Sequence, residues 1–329
     1  MMRRGLLPLH RRRLPEAFGS SNAPPDGPAF AGPFHSLSSP GPTRARSLNR
    51  GFIMSVLQCG RFRLDLSQPQ VMAIINLTDD SFSGDGLHGD VRAALARAEH
   101  ALEQGADMLD IGAESSRPGS EPVPEAQELE RVVHFVEQAR DWQVPLSIDT
   151  VKPAVMRAAL AAGADMINDI NAFRAPGAIE AVASGNAGLC LMHMRGEPRT
   201  MQQDPRYDDV VAEVMTFLDE HVAALQAAGV ARERLVLDPG FGFGKRTVHN
   251  FTLLRELARF TEGGLPVLAG MSRKSMIGAV TGREVGERLA GSVAAALIAV
   301  QRGAGIVRVH DVAATVDAIK VWQATLASS

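Results

Sequence analysis

The sequence is poor in aromatic residues, in cysteine and in long apolar runs, and each shortage excludes a class of protein. Only 5% of the 329 residues are aromatic although 45% are hydrophobic, so aliphatic side chains must fill the core. The two cysteines, Cys59 and Cys190, form no C-x-x-C pair and predict reduced thiols in a cytoplasmic protein. No apolar run approaches the roughly 18 residues of a membrane span, and no His/Cys cluster has the spacing of a zinc site.

An excess of charge of one sign is also lacking. The formal net charge is -3. This value gives no reason to expect a nucleic acid or an anionic membrane as a partner.

The first 53 residues differ from the rest of the chain. They hold 8 of the 19 prolines and eight arginines, but only two acids, Glu16 and Asp26. Because this segment lacks periodic apolar residues, we predict a disordered extension over residues 1–53 and one ordered domain over residues 54–329. Two other interpretations stay open, namely an Arg-rich targeting segment or translation that begins at Met54.

From residue 54 onward, a unit of short apolar strand, polar loop and amphipathic helix repeats eight times. The predicted strands are residues 71–75, 108–111, 146–149, 166–169, 189–192, 235–238, 266–270 and 306–309. The predicted helices are residues 91–104, 124–140, 153–162, 178–184, 208–228, 250–260, 285–301 and 312–326. Eight such units predict an α/β fold, the (β/α)8 TIM barrel, rather than the alternative open doubly wound sheet. A hairpin over residues 59–66 is predicted to close the bottom of the barrel.

Polar residues stand at the carboxyl ends of these strands, where such a barrel builds its active site. They are Asn76, Asp110, Asp149, Asn168, Asp169, His193, Asp238, Lys274, Arg308 and His310. Each alone could be a helix cap or a turn former, and Asp110, Asp169 and His193 fit that interpretation best. As a set converging on one mouth, they predict a binding site.

Two kinds of chemistry are expected at this mouth. Asp149, Asn168 and Asp238 offer acceptors and one amide, which suit the edge of a flat heterocycle with N–H donors. Arg308 and His310 follow the eighth strand, which neighbours the first strand and its Asn76 when the barrel closes. These three groups predict a diphosphate–Mg²⁺ site, and a salt bridge within the barrel is the alternative for Arg308.

The glycine-rich stretch GFGFGK, residues 240–245, is not a phosphate-binding P-loop. It has one residue too few between its glycines, and Arg246 stands where Ser or Thr is needed.

Seven motifs, one per strand end and in order, resemble those of the dihydropteroate synthases, the pterin-binding barrels of folate synthesis. They are NLTDDSFS (76–83), DIGAESSRPG (110–119), SIDT (147–150), INDI (167–170), DPGFGFGK (238–245), SRKS (272–275) and RVHD (308–311). The resemblance covers about residues 69–322. It implies that the amine of 4-aminobenzoate displaces diphosphate from a dihydropterin diphosphate with the help of Mg²⁺, in a cytoplasmic dimer built through the last helices.

The resemblance also implies a role for each matching residue. The implied pterin ligands are Asp149, Asn168, Asp238 and Lys274. The implied diphosphate ligands are Ser116, Arg308 and His310, with Asn76 on the Mg²⁺. Arg117 and Ser275 would lie near the aminobenzoate, and the catalytic set would be Asn76, Lys274, Arg308 and His310. One departure is Asp79, which stands where the family usually has Pro.

Two alternative functions are compatible with a pterin barrel. A methyltetrahydrofolate:corrinoid methyltransferase needs no diphosphate clamp, and Arg308, His310 and residues 272–275 argue against it. An inactive pterin-binding paralogue is a different class of protein, and the intact set of strand-end residues argues against that.

Overall fold

The structure is a computed structural model that describes residues 56–77, 87–114, 122–198 and 200–326, with backbone alone for residues 87–90. Within these ranges the strands are β1 (Val56–Cys59), β2 (Phe62–Asp65), β3 (Gln70–Asn76), β4 (Met108–Gly112), β5 (Leu146–Asp149), β6 (Met166–Asp169), β7 (Gly188–Met192), β8 (Leu235–Asp238), β9 (Leu268–Ala269) and β10 (Ile306–Val309). The α-helices are α1 (Leu87–Glu103), α2 (Glu125–Ala139), α3 (Pro153–Ala162), α4 (Ala178–Val182), α5 (Val210–Ala227), α6 (Thr247–Arg255), α7 (Ala258–Thr261), α8 (Ser275–Thr281), α9 (Leu289–Gln301) and α10 (Val312–Leu326). None of these helices combines the length and the apolar content needed to cross a bilayer. The predicted disordered extension of residues 1–53 lies outside the described residues and stays a prediction.

Strands β3 to β10 form one parallel sheet that closes into a barrel. Their order is β8-β7-β6-β5-β4-β3-β10-β9. A hydrogen bond of 2.9 Å from Leu237 N to Pro266 O and a parallel bridge between Leu237 and Val267 join β8 to β9. The predicted (β/α)8 barrel is confirmed, and the alternative of an open sheet is wrong.

Burial on both faces explains why the barrel strands form continuous apolar runs in the sequence. Strands β4, β6, β7 and β8 are buried at every residue. The surrounding helices turn alanines toward the barrel, and Ala94, Ala98 and Ala159 are fully buried. Small side chains let a helix approach the sheet closely, so a core with few aromatic residues can still be dense.

The predicted hairpin exists as β1 and β2, which pair antiparallel. Its Leu57 and Cys59, together with Leu66 just after β2, form a buried cluster with side chains from the barrel strands. The barrel side chains of this cluster are Met72, Met108, Met166, Cys190, Val236, Leu268 and Ile306. The guanidinium of Arg61 pairs with the buried carboxylate of Asp165 at 2.8 Å. The hairpin thereby covers the end of the barrel away from the site, as predicted.

Most helix ends agree with the prediction within two residues. The exceptions are α1, which begins at Leu87 rather than at residue 91, and the helices from α6 to α9. The helix predicted over residues 250–260 begins three residues earlier and breaks into α6 and α7. Its early start is capped because His249 Nδ1 accepts from Arg246 N at 3.2 Å. The helix predicted over residues 285–301 begins at Leu289, and the short α8 before it was not predicted.

Candidate active site

The carboxyl ends of the barrel strands bring most of the predicted site residues to one mouth. At or within one residue of the ends of β3, β5, β6, β8 and β10 lie Asn76, Asp149, Asn168, Asp238, Arg308 and His310. Lys274 and Ser275 follow β9 and stand at the start of α8. Ser116, Arg117 and Asp79 lie outside the described residues, so their predicted roles stay predictions.

Asp110 on β4 is the centre of a network of charged side chains. Its Oδ2 accepts from Arg308 Nε at 2.5 Å and from Asn168 Nδ2 at 3.1 Å, and its Oδ1 accepts from Ser147 Oγ at 2.6 Å. An Nη of Arg308 also donates to Asp149 Oδ2 at 2.9 Å. We call Asp110, Asp149, Asn168 and Arg308 the paired wall. In the sequence Asp110 resembles a helix cap, and its part in the site becomes visible only where four strands meet.

Burial and ion pairing act in opposite directions on the paired wall. Burial alone would lower the pKa of the Arg308 guanidinium, but Asp110 and Asp149 raise it overall. Burial raises the pKa of the Asp149 carboxyl, and the charge of Arg308 opposes that rise. Within the described residues Asp149 Oδ1 accepts no hydrogen bond, so the wall retains acceptor capacity for a ligand.

Another side of the mouth depends on the backbone that follows β8. Asp238 Oδ1 accepts from Gly240 N at 2.7 Å, and Lys274 Nζ donates to Phe241 O at 2.6 Å. Lys274 Nζ also lies 4.6 Å from the centroid of the Phe243 ring. We call Asp238, Lys274 and residues 239–244 the loop wall. Burial lowers the pKa of Lys274 to about 8, whereas burial raises the pKa of the Asp238 carboxyl against the charge of Lys274.

Two glycines of the loop wall are required by close packing against the chain that follows β7. Gly240 has a φ of 70°, and a Cβ there would lie 1.9 Å from His193 O. Gly244 has a φ of 60°, and a Cβ there would lie 2.4 Å from Arg195 O. Because no side chain fits at either position, these glycines serve contact with protein backbone. This agrees with the interpretation that the loop is not a P-loop.

Ser272 holds His310 in place. Its Oγ lies 3.0 Å from His310 Nδ1 and accepts from His310 N at 3.2 Å. Ser272 is buried, whereas Ser275 at the first residue of α8 is exposed. Both serines belong to the SRKS motif of residues 272–275. The sequence alone does not show which of the two positions His310.

Asn76 ends β3 with an exposed side chain. Strand β3 pairs with β10, so Asn76 stands on a strand next to that of Arg308 and His310, as predicted. In the part of the chain that the structure describes, no group of three or more His, Cys, Asp or Glu side chains could hold a metal ion. A single amide oxygen fits a Mg²⁺ ion that takes its other ligands from phosphate and water.

A cavity of about 540 Å³ opens beside the paired wall, lined in part by Glu114, Glu128, Asp149 and Ile170. Lys152 Nζ donates to Glu114 Oε2 at 2.6 Å and also pairs with Glu128, a cluster that the sequence does not reveal. A buried apolar cluster contacting Ile170 consists of Met192, Met194, Met201 and Phe243. The mouth therefore combines polar edges with apolar faces, as binding sites for flat organic ligands do.

Comparison with known proteins agrees with this site. A family model described as pterin binding enzyme matches residues 72–310. Over 263 residues the chain is 51% identical to the dihydropteroate synthase of Haemophilus influenzae, covering 80% of this chain and 96% of that protein. The fold is similar to that of Burkholderia cenocepacia dihydropteroate synthase complexed with 7,8-dihydropteroate, with a TM-score of 0.77, 57% identity and coverage of 83% and 97% of the two chains. It is equally similar to Xanthomonas albilineans dihydropteroate synthase with 4-aminobenzoic acid, with a TM-score of 0.78, 54% identity and coverage of 83% and 98%.

The matched region contains the whole mouth of the barrel. The family model extends from Met72 to His310, so it includes every predicted site residue. Identity to the Haemophilus protein holds over four fifths of this chain, which is far more than a shared barrel requires. The chain belongs to the dihydropteroate synthase family of pterin-binding enzymes.

Proposed function

We propose that the protein condenses 4-aminobenzoate with (7,8-dihydropterin-6-yl)methyl diphosphate, forming 7,8-dihydropteroate and diphosphate. The amine nitrogen forms a bond to the methylene carbon, while the bond from that carbon to the diphosphate oxygen breaks and its electron pair leaves with the diphosphate. The amine then loses one proton. The observation that carries this proposal is the convergence of Asp149, Asn168, Asp238 and Lys274 with the cation Arg308 on one mouth.

The pterin would be held by hydrogen bonds along its edge. Asp149 and Asp238 are carboxylates that accept from ring and exocyclic N–H groups, and Asn168 and Lys274 supply donors for the ring nitrogens and oxygen. A ligand without these groups would leave buried carboxylates unpaired, which makes the site selective. The cluster of Met192, Met194, Met201 and Phe243 would cover an apolar face of the ring.

The leaving diphosphate would contact Arg308, His310 and Ser116. A pterin N–H would bind Asp149 Oδ1, while Arg308 keeps its contact with Oδ2. The remaining N–H donors of the guanidinium would then bind the diphosphate. We propose Asn76 Oδ1 as the protein ligand of a Mg²⁺ ion. Bound Mg²⁺ would stabilise the negative charge on the leaving diphosphate.

The chain would contribute orientation and electrostatics rather than a covalent intermediate. Arg117 and Ser275 are proposed to hold the aminobenzoate so that its weakly nucleophilic amine faces the methylene carbon. The positive charges of Arg308 and Lys274 would stabilise the charge that develops on the departing oxygen.

One assay tests the activity and its Mg²⁺ requirement together. Purified full-length protein is mixed with the dihydropterin diphosphate and 4-aminobenzoate, and diphosphate release is measured with Mg²⁺ and with EDTA. We expect release that depends on both substrates, stops with EDTA and returns with excess Mg²⁺. Pterin binding without diphosphate release would support an inactive paralogue, and methyl transfer from methyltetrahydrofolate to a corrinoid would support the methyltransferase.

We also propose that the active form is a homodimer in the cytoplasm. Large apolar side chains are exposed around α8 and α9, namely Val280 at 60%, Val285 at 55%, Leu289 at 46% and Ile298 at 38%. Neighbouring exposed apolar groups of this kind indicate an association surface. Sedimentation should give a dimer at micromolar concentration, and a monomer alone would contradict the proposal. Free, buried thiols at Cys59 and Cys190 suit a reducing compartment.

A further inference from the structure

Lys245 is a buried lysine that the proposed reaction does not use. Only 3% of the surface of this residue is exposed. Its Nζ donates to Gly240 O at 2.8 Å and to Phe243 O at 3.0 Å, and it lies 2.9 Å from His193 Nδ1. Nζ also lies 3.3 Å from His193 O, so every N–H donor of the side chain has an acceptor inside the protein.

The partners of Lys245 are neutral groups rather than an acid. Within the described residues Lys245 forms no ion pair. Burial and the charge of Lys245 lower the pKa of His193 to about 2, so the imidazole is neutral and Nδ1 accepts a hydrogen bond. Burial lowers the pKa of Lys245 well below its ordinary value, and the charge of Asp238 opposes that shift. The fold nevertheless retains the lysine at the base of this loop.

The loop that Lys245 binds is the one that supplies partners to the loop wall. Gly240 donates its N–H to Asp238 while its carbonyl accepts from Lys245. Phe243 places its ring beside Lys274 while its carbonyl accepts from Lys245. Lys245 therefore binds the loop on both sides of Phe241, whose carbonyl accepts from Lys274.

We propose that Lys245 is a positioning residue of the pterin site, which fixes residues 240–243 so that Asp238 and Lys274 face the pterin in a single geometry. The proposal rests on the proposed assignment of Asp238 and Lys274 to the pterin. It differs from a phosphate-binding role for the glycine-rich stretch, because Nζ of Lys245 is buried and its donors are used inside the protein.

The direct test is Lys245→Met, which keeps the length of the side chain and removes its donors. Calorimetric titration of the full chain with 6-hydroxymethyl-7,8-dihydropterin should show a Kd at least tenfold higher than that of the unaltered protein. Titration with inorganic diphosphate and Mg²⁺ should change by less than threefold, since Arg308 is held by Asp110 and Asp149, and His310 is held by Ser272. A pterin Kd within twofold of the original would overturn the proposal.

A matched control separates positioning from loss of stability. Val132→Ala shortens a fully buried side chain on α2, away from the loop, and should lower the melting temperature without changing the pterin Kd. If Lys245→Met and Val132→Ala weaken pterin binding equally at equal melting temperature, Lys245 contributes stability alone and the positioning role is wrong.

A milder variant keeps the proposal testable if Lys245→Met does not fold. His193→Leu removes one acceptor of Lys245 and leaves the two carbonyls of the loop, so the pterin Kd should rise about threefold in the folded protein. No rise in this variant would contradict the proposal.

The site assignment itself is tested separately by Asp238→Asn. If Asp238→Asn weakens pterin binding and Lys245→Met does not, the assignment stands and the positioning role fails. If Asp238→Asn has no effect, the assignment of the pterin site fails instead.

Discussion

The paired wall and the loop wall hold their functional side chains by different means. In the paired wall, side chains bind side chains, as when Arg308 contacts Asp110 and Asp149 across the barrel. In the loop wall, Asp238 and Lys274 bind backbone groups of residues 239–244. A substitution in the paired wall therefore changes the charge balance on several strands, whereas one in the loop wall changes the fit of a single loop.

The largest effect is expected when the cation of the paired wall is removed. Arg308→Ala should lower kcat/KM with the dihydropterin diphosphate by a factor that corresponds to about 2–4 kcal/mol, because a charge-assisted contact to the leaving group is lost. Binding of 6-hydroxymethyl-7,8-dihydropterin should fall much less. Steady-state kinetics and calorimetry measure the two quantities.

A second substitution controls for the charge balance of this wall. Arg308→Ala leaves Asp110 and Asp149 without their cation, which destabilises a buried site. Adding Asp110→Asn to Arg308→Ala should recover part of the melting temperature but none of the turnover. Recovery of turnover, or equal losses for the two ligands in Arg308→Ala, would indicate that Arg308 is a structural salt bridge.

A smaller effect is expected from titration in the loop wall. Because the pKa of Lys274 is lowered from 10.5 to about 8, the ammonium loses its proton as the pH rises through about 8. Pterin affinity should then fall by at most tenfold per pH unit, if only the charged form binds. Protein stability should rise between pH 8 and 10.5, because the unfolded state binds more protons in that window.

Calorimetry and thermal melting across pH 7 to 10 measure both trends. Lys274→Met is the control, and it should remove the part of each trend that belongs to this residue. The same pH dependence in Lys274→Met would assign the titration to another group.

The smallest effect is expected at Ser272, which lies on the segment between the two walls. Ser272→Ala removes the hydroxyl 3.0 Å from His310 Nδ1. It should lower kcat by a factor that corresponds to about 1 kcal/mol of activation free energy, the net contribution of one hydrogen bond. Ser275→Ala is the matched variant on an exposed neighbour, and it should act on the KM for aminobenzoate instead. An effect of Ser272→Ala on pterin affinity alone would contradict the link to His310.

The barrel strands could be predicted because each is a buried apolar run that ends at a polar residue. The bounds predicted for β5, β6, β8 and β10 agree with the structure. The signal fails where an element is short. Helix α8 has seven residues and contains Gly278, so it shows no clear apolar period and was not predicted. The strand predicted over residues 266–270 exists, but only as the two residues of β9.

The candidate site was predicted as a set of strand ends, but its internal connections were not. Asp110 looks like a helix cap locally, and its contacts come from strands up to 198 positions away in sequence. In the sequence, Lys245 ends a glycine-rich stretch that does not match the spacing of a P-loop, and its partner His193 is 52 positions away. Such contacts depend on which strands become neighbours, so the residue types and spacings along one segment do not encode them.

The central claim is that Asp238 anchors the pterin, and Asp238→Asn tests it most directly. Oδ1 of Asp238 accepts from Gly240 N, so an asparagine in the same orientation would turn its NH₂ group toward the pterin donors. Leaving that pair of donors unsatisfied should cost about 1–3 kcal/mol or more. The variant should stay folded, with a near-native melting temperature. Calorimetric titration should show at least tenfold weaker pterin binding and retained binding of diphosphate with Mg²⁺. Unchanged pterin affinity, or a drop in melting temperature with equal loss of both ligands, would contradict the account.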